Sequence, residues 1–542
     1  MSDLQKAFEQ LDQYVEQKMA AACTPGMTIA LTDREKTLRV STYGFADLEA
    51  QIPVTPETLF EIGSIGKSFT AVAVLQACEA GLLDLHAPVT EYLPWFQVQS
   101  RYEPITIHHL LTHSSGLILG ADFSPDPRSI IWALRETETG FPPGERCHYS
   151  DVGYKVLGLV LQAVCGRSYG DLLQQHILDP LGMTATEPAI THAIRPRLAK
   201  GYRHLYDDRP THASHPLVPA TWVETDSADG SIASTAEDMA RYVRMLLNRG
   251  HGPNGPILSE ASYDLMTRAW IAGDGWVWDN YGYGLYVFEE GGFAHVGHGG
   301  DTPGYEAYTW ADLDNGYGAA VLVTQPYPSG LIANIIRTFQ AAYLGKPLPP
   351  IPPQPVPTRL ENGTDFVGAY RAGEKILTLV AEEDQLLLVL DNDRVALEKR
   401  GRDCLYVNHP DFDRYLLRFG RTDNGGEDAP VVEAFHGPDW YVNDRYTGPS
   451  DFEYPQEWDG YTGHYRSFNP WETNFRVIVR KGKLLLVWPD DYEQALVPVG
   501  KATFRIGEEE FLPERLRFDQ IVDGKAWRAI MDNGDYYRFF TP

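Results

Sequence analysis

Residues 60–75 read Phe60-Glu61-Ile62-Gly63-Ser64-Ile65-Gly66-Lys67-Ser68-Phe69-Thr70-Ala71-Val72-Ala73-Val74-Leu75. A serine and a lysine stand three positions apart, Ser64 and Lys67, at the head of an apolar run without proline. The run predicts a helix over about 64–80. A helix sets residues i and i+3 on one face about 5–6 Å apart, so the lysine ammonium comes to lie beside the serine hydroxyl. A serine hydroxyl is a poor nucleophile until a base or a positive field is placed next to it. The spacing alone decides nothing, because an N-cap serine followed by a solvated lysine gives the same tetrad. Two further motifs, farther along the chain, decide it.

The second is Tyr149-Ser150-Asp151, 85 residues after Ser64, placed before an apolar helix that starts near Val152. A phenol with its reference pKa near 10 acts as a base at neutral pH only if cations hold its phenolate. A three-unit shift takes about 4 kcal/mol of differential stabilisation. Lys67 is the expected source, and Tyr149 would then take the Ser64 proton and return it to the leaving group. The third is His298-Gly299-Gly300 within His295–Tyr305. Its glycines let a strand edge approach a substrate closely. The backbone N–H groups of Ser64 and Asp301 are the expected oxyanion donors, each worth about 3–4 kcal/mol. His298 would hold the Tyr149 proton network or bind a substrate carboxylate.

Together these residues resemble the serine hydrolases related to class C β-lactamases and D-Ala-D-Ala carboxypeptidases, a family that also contains D-aminopeptidases and β-lactamase-like esterases. The resemblance spans residues 10–345 and includes Thr106-Ile-His-His-Leu-Leu-Thr-His-Ser-Ser-Gly-Leu117 and Gly230-Ser-Ile-Ala-Ser-Thr-Ala-Glu-Asp-Met239. It implies that Ser64 is the acylated nucleophile, that Lys67 and Tyr149 transfer protons, and that His298 replaces the lysine of the third motif. One position departs from the family pattern, where Asp151 stands in place of asparagine. An ionised Asp is an acceptor only, whereas Asn both donates and accepts. Asp151 would either hold Lys67 as ammonium, making it a poorer base, or bind a substrate ammonium group. His109 and His113 fall at i, i+4, a spacing compatible with zinc. No H-E-x-x-H glutamate accompanies them, so structural hydrogen bonding is their expected role, with no metal and no cofactor.

The chain of 542 residues is too long for one core. Its net charge of −28 argues against nucleic acid or an anionic membrane as partner. Its first residues carry Leu4, Phe8, Leu11, Val15 and Met19 on one amphipathic face rather than a signal-peptide core. No apolar run reaches the 18–20 residues of a span. Five scattered cysteines fit reduced buried thiols, and a cytoplasmic location is expected. Oligomeric state stays open, a homo-oligomer included.

Seven prolines in residues 346–357 form a stiff extended spacer. The expected division is a catalytic domain over 1–345, a linker over 346–358, and two repeats over 359–449 and 450–542. The first domain mixes an early hairpin around Asp33-Arg-Glu-Lys, helices near 106–113, 151–166, 169–179 and 235–248, and strands near 283–298 and 305–324. Ser234-Thr-Ala-Glu237 reads as a capping box. This is an α+β fold: an antiparallel sheet flanked by helices, with an all-helical insertion. The repeats show in Phe366-Val-Gly-Ala-Tyr-Arg371 against Tyr461-Thr-Gly-His-Tyr-Arg466, Gln385–Val389 against Lys483–Val487, and Tyr415–Phe419 against Glu514–Phe518. Each predicts a small all-β antiparallel barrel.

The three-part layout resembles the D-aminopeptidase branch. A serine peptidase cleaving small peptides or amides is therefore the first reading. The second is a carboxylesterase or weak β-lactamase on the same machinery, and the third is a non-catalytic binding protein. The longer segment Arg466–Asn474 in the second repeat is the expected pocket-limiting loop.

Overall fold

The computed structural model describes residues 3–120, 124–275, 277, 279–328, 330–390, 393–422, 429–490 and 492–539. The catalytic unit is organised by helix α1 (Asp3–Ala22), strands β1 (Gly26–Asp33) and β2 (Thr37–Asp47), helices α2 (Gly66–Glu79), α3 (Asp151–Cys165) and α4 (Ala236–Leu247), strands β3 (Tyr286–Glu290), β4 (Phe293–Thr302), β5 (Tyr305–Asp312) and β6 (Tyr317–Thr324), and helix α5 (Leu331–Tyr343). A nine-stranded antiparallel sheet runs Ile271–Ala272, Asn280–Tyr281, β3, β4, β5, β6, β1, β2, Ile52–Pro53. Its centre joins the first long strand to the last, with Met27 opposite Val323 and Asp33 opposite Tyr317.

β1 is buried on both faces because both are covered, though one face carries Thr28 and Thr32. On one face Leu11, Val15 and Met19 of α1 pack with Met27, Ile29, Leu31 and with Ile335 and Phe339 of α5. On the other, Ala30, Ala320 and Leu322 meet Val243 and Leu247 of α4 and the buried helices of the insertion. Burial of this kind supplies about 25 cal/mol per Å² of apolar surface.

The stretches 283–298 and 305–324 each resolve into a hairpin rather than one strand. Gly291 and Gly292, both at positive φ, turn β3 into β4, and Gly316 at φ 78° ends the turn between β5 and β6. The 106–113 helix is shorter, Ile107–Leu111, and 169–179 breaks into Tyr169–Leu173 and a wider π turn at Gln174–Leu178. Thr235, not Ser234, caps α4, accepting the Asp238 N–H. Ser234 is in a strand pairing with Phe60, and its hydroxyl meets Thr186. None of the five cysteines is in a disulfide, and against the expectation of buried thiols only Cys147 is buried; Cys78, Cys165 and Cys404 are half-buried and Cys23 is exposed.

After the proline run come two closed eight-stranded antiparallel barrels. The first spans Gly368 to Val442, closed by Arg371 opposite Val442. The second spans Gly463 to Phe539, closed by Tyr465 opposite Arg538. The repeat has a physical basis in paired tyrosines. Tyr370 and Tyr465 are buried, and each donates its hydroxyl to the carbonyl four residues back, Phe366 O at 2.9 Å and Tyr461 O at 2.8 Å.

By contacts the chain forms two compact units, and neither is continuous in sequence. Residues 205–216 group with the barrels. There Asp207 accepts from Arg466 and Thr473, Asp208 from Arg476, and Arg209 pairs with Asp413. Residues 510–514, from the connection between two strands of the second barrel, group with the catalytic unit.

Candidate active site

Ser64 sits on a tight 3-10 turn, Gly63–Ile65, that runs directly into α2. The turn is possible because Gly63 takes φ +50°, and because a Cβ there would stand 2.7 Å from the Asp301 nitrogen. Gly300 is equally forced, since its Cβ would meet Ile62 O at 1.9 Å and Ser64 N at 3.0 Å. β3 stops pairing with β4 at Gly297, so the edge of residues 298–301 lies open to this turn. With Thr302 opposite Tyr305 across a two-residue turn, Asp301 is the next pair along the ladder. Alternate residues of an antiparallel ladder direct their N–H groups to opposite sides. The Asp301 N–H therefore points away from β5, to the side where Ser64 N lies. The Asp301 side chain itself is exposed and accepts two long bonds from the Gln325 amide, 3.3 and 3.5 Å.

Lys67 is fully buried, and its ammonium has two hydrogen-bond acceptors and one ion-pair partner. These are Ser64 Oγ at 2.8 Å, Asp229 O at 2.9 Å and, as an ion pair, Asp151 Oδ1 at 2.5 Å. Asp151 occupies the first position of α3, whose N-cap is Ser150, and its side chain is 27% exposed. One turn on, Lys155 pairs with Asp229 at 2.6 Å. Burial pushes the Asp229 carboxyl up, but the ammonium groups of Lys155 and Lys67 outweigh it and hold it below the usual carboxylate range.

The Tyr149 hydroxyl is hydrogen-bonded to Ser64, and the Lys67 ammonium lies 5.0 Å from its ring centre. The expected phenolate is not favoured here. Burial, then the Asp151 carboxylate and Tyr286, push the Tyr149 phenol well above its ordinary value, and the Ser64 hydrogen bond only partly opposes them. The negative group that departs from the family pattern thus cancels the positive field that the lysine was expected to supply.

His298 is 2% exposed and both its nitrogens have protein partners, Tyr281 Oη at 2.9 Å and Gly299 O. Its ring stacks on Tyr286 and lies 6.3 Å from that of Tyr149. Burial and then Lys67 hold its pKa at about 3, so it is a neutral imidazole. A buried neutral ring so engaged has no charge to offer a substrate carboxylate. Gly299 carries no side chain where Tyr308 lies 3.1 Å from the place a Cβ would take.

His113 and His109 have the structural hydrogen-bonding role expected of them, whereas Lys155 and Glu514 were not singled out by the sequence. His113, at φ +54°, accepts the His148 N–H on its carbonyl at 2.8 Å and the Ser150 N–H on its Nδ1 at 3.0 Å. It thereby clamps the backbone on both sides of Tyr149, with the two rings 4.1 Å apart. Burial and Lys67 keep it neutral, which that acceptor role requires. His109 likewise accepts the Thr106 N–H on Nδ1. Lys155 had one legible signal, a lone cation in an apolar helix run.

The second unforeseen residue is Glu514. It accepts from the Leu119 N–H at 3.1 Å and bonds His148 Nε2 at 2.7 Å. Phe511 packs edge-on to Phe141, Arg146 covers it at 4.2 Å, and Gly140 leaves the space that Phe511 O fills. The segment expected in this place, Arg466–Asn474, is held instead by Asp207 within the barrel unit. Burial disfavours the His148 imidazolium, but the hydrogen bond and charge of Glu514 outweigh it and raise its pKa. A raised histidine pKa stabilises fully below its unfolded value of about 6.5 and ceases to do so as pH climbs through the folded value. Protection of residues 510–514 against hydrogen exchange, taken relative to the intrinsic rate at each pH, is therefore expected to fall as pH rises above about 6.5. Glu514→Gln should flatten that dependence; an unchanged pH response in this variant would exclude the pair as its source.

The chain is similar to known proteins in sequence and fold. The family model described as Beta-lactamase matches residues 11–342. Penicillin-binding protein 4 of Amycolatopsis lactamdurans is 28% identical over 334 residues, 59% of this chain and 86% of its own. Protein flp of Staphylococcus aureus (strain MW2) is 28% identical over 250 residues, 44% of this chain and 49% of its own. Among solved structures, the octameric penicillin-binding protein homologue from Pyrococcus abyssi aligns with a TM-score of 0.57 at 27% identity, over 80% of this chain and all of its own (100%). The penicillin-binding protein from Bacillus halodurans aligns with a TM-score of 0.51 at 24% identity, over 60% of this chain and 98% of its own, a likeness of fold alone.

Proposed function

Because the chain belongs to the beta-lactamase family, we propose that it is a serine hydrolase acting through an acyl-enzyme on Ser64, with small peptides or amides as substrates. The observation that carries this reading is the convergence on Ser64 Oγ of Lys67 and Tyr149, beside the N–H groups of Ser64 and Asp301. Oγ attacks the scissile carbonyl. As the new C–O bond forms, its proton moves to Lys67 and a lysine proton moves to Asp151, so that no net charge is created in the buried site. The carbonyl electron pair moves onto oxygen and is met by the two backbone donors. Tyr149, protonated throughout the resting state, donates to the departing amine as the C–N bond breaks and is reprotonated by way of Lys67. Water then repeats the sequence on the acyl ester. His298 and His113 keep the Tyr149 ring in place.

The preference for peptides draws support from Asp151, a partly exposed carboxylate beside Lys67, and from Glu514, which binds His148 next to Tyr149. The octameric homologue supports assembly from copies of one chain. The test is labelling of intact protein by a fluorophosphonate, followed by hydrolysis of free and N-blocked L- and D-peptides, p-nitrophenyl esters of graded length and nitrocefin. Wild type should gain one adduct and Ser64→Ala none, with turnover lost alongside. Esters or nitrocefin cleaved in preference to every peptide would move the substrate class, and no adduct with several acylating probes would favour a binding protein.

A further inference from the structure

The outer face of the second barrel holds a cavity of about 510 Å³, walled also by Tyr415 and Pro438 of the first barrel. In a chain of net charge −28 this wall is cationic. Arg476, Arg538 and Lys525 line it, with a neutral His464, against one carboxylate, Asp459. The positive charges are poorly compensated. The Arg538 guanidinium donates only to neutral oxygens, the carbonyls of Ala526, Thr462 and Gly460 and the Tyr465 hydroxyl. Among the described residues neither Arg538 nor Lys525 has an ion-pair partner. Arg476 is buried; it reaches Asp208 at 2.9 Å, a carboxylate shared with Arg209, and its Nε–H has no acceptor.

His464, 4% exposed, completes the pattern. The Asn474 amide nitrogen is committed to Asp207 O and Thr473 Oγ1, so its Oδ1 accepts from His464 Nε2–H at 2.9 Å. The other ring nitrogen, Nδ1, is then a lone-pair acceptor, and it has no donor. Buried polar atoms are ordinarily paired, and an unpaired one asks what pairs it. The wall thus offers an unused guanidinium N–H and two free positive charges for an anionic oxygen, and one unused acceptor for a hydrogen carried by the same ligand. Tyr415, Tyr454 and Phe539 supply aromatic surface beside them.

We propose that this cavity binds a phosphate group, free or as a small-molecule monoester, whose ionised oxygens meet Arg476, Lys525 and Arg538 and whose protonated oxygen meets His464 Nδ1. The cavity is larger than a phosphate ion, which favours a monoester with an apolar or aromatic body. Calorimetric titration of the full chain with inorganic phosphate, phenyl phosphate and sulfate, at matched ionic strength and about pH 5.5, where a monoester with a second pKa of about 6 keeps one proton, tests it. Both phosphates should saturate and bind more tightly than sulfate, which carries no hydrogen for His464. Tighter phenyl phosphate identifies the monoester as ligand; equal affinity identifies free phosphate. Lys525→Glu, an exposed change, should weaken binding about tenfold or more and leave hydrolysis unchanged. Absence of saturation by either phosphate, sulfate binding as tightly as phosphate, or undiminished binding in Lys525→Glu overturns the proposal.

Discussion

Lys67→Met is expected to lower kcat/KM by about 10²–10⁴-fold and to destabilise the fold by about 3 kcal/mol, the lower end of the range for a broken buried ion pair. Adding Asp151→Asn should recover the stability but not the activity. Lys67 is wholly buried, with Ser64, Asp229 O and Asp151 as its partners. Methionine fills similar volume but leaves Asp151 Oδ1 buried beside no cation. Partial exposure of Asp151 places the cost at that lower end. The neutral asparagine removes the stranded charge, so the double variant should regain most of the lost stability in urea unfolding while still failing to transfer the Ser64 proton. Full activity in Lys67→Met would remove the lysine from the chemistry. A double variant as unstable as the single one would show that the Asp151 pair is not the source of the loss.

Tyr149→Phe should cost about 10²–10⁴-fold on amides and markedly less on p-nitrophenyl esters. A phenol that donates to the leaving group matters most when the leaving group is a poor one; p-nitrophenolate departs without a proton. A tyrosine serving as phenolate base would instead slow every substrate alike. It would also put a tyrosine ionisation into the pH–rate profile near neutrality. Burial, Asp151 and Tyr286 keep Tyr149 protonated, so the wild-type profile should contain no such limb that Tyr149→Phe removes. Equal losses on amides and activated esters, or a neutral limb that disappears in the variant, would reverse the assignment from acid to base.

What could be read from the sequence was chemistry that is local or carried by glycine. Ser64 and Lys67 are one helical turn apart, and Gly299 and Gly300 announce the close approach of a strand edge. The barrels were legible because their tyrosine latch recurs in both copies. What escaped was set by distance along the chain. The carbonyl and Nδ1 of His113 find their partners only once 148 and 150 are folded against them, and Glu514 lies 366 residues from His148. The Tyr149 pKa was misjudged for a related reason. The sequence offered the Asp151–Lys67 pair as one of two roles for Asp151, but not the complete burial of the phenol, which is the larger cause of its raised pKa. Thr235 took the cap from Ser234 because the pairing of Phe60 with Ser234 outcompetes a local side-chain bond.

The strand pairing at the centre of the sheet has a consequence for synthesis. β1 is finished by residue 33, yet its partner β6 begins at residue 317. While the intervening chain emerges, β1 and β2 form a ribbon whose inner edge is apolar and unpaired, a template for association with other chains. Long-range pairing of this kind is slow because the loop must close before the contact forms. Premature termination anywhere before Tyr317 therefore yields no smaller working enzyme but a chain with an open sheet. Holding the nascent ribbon apart from its neighbours is a demand that this fold places on the cell before Ser64 meets any substrate.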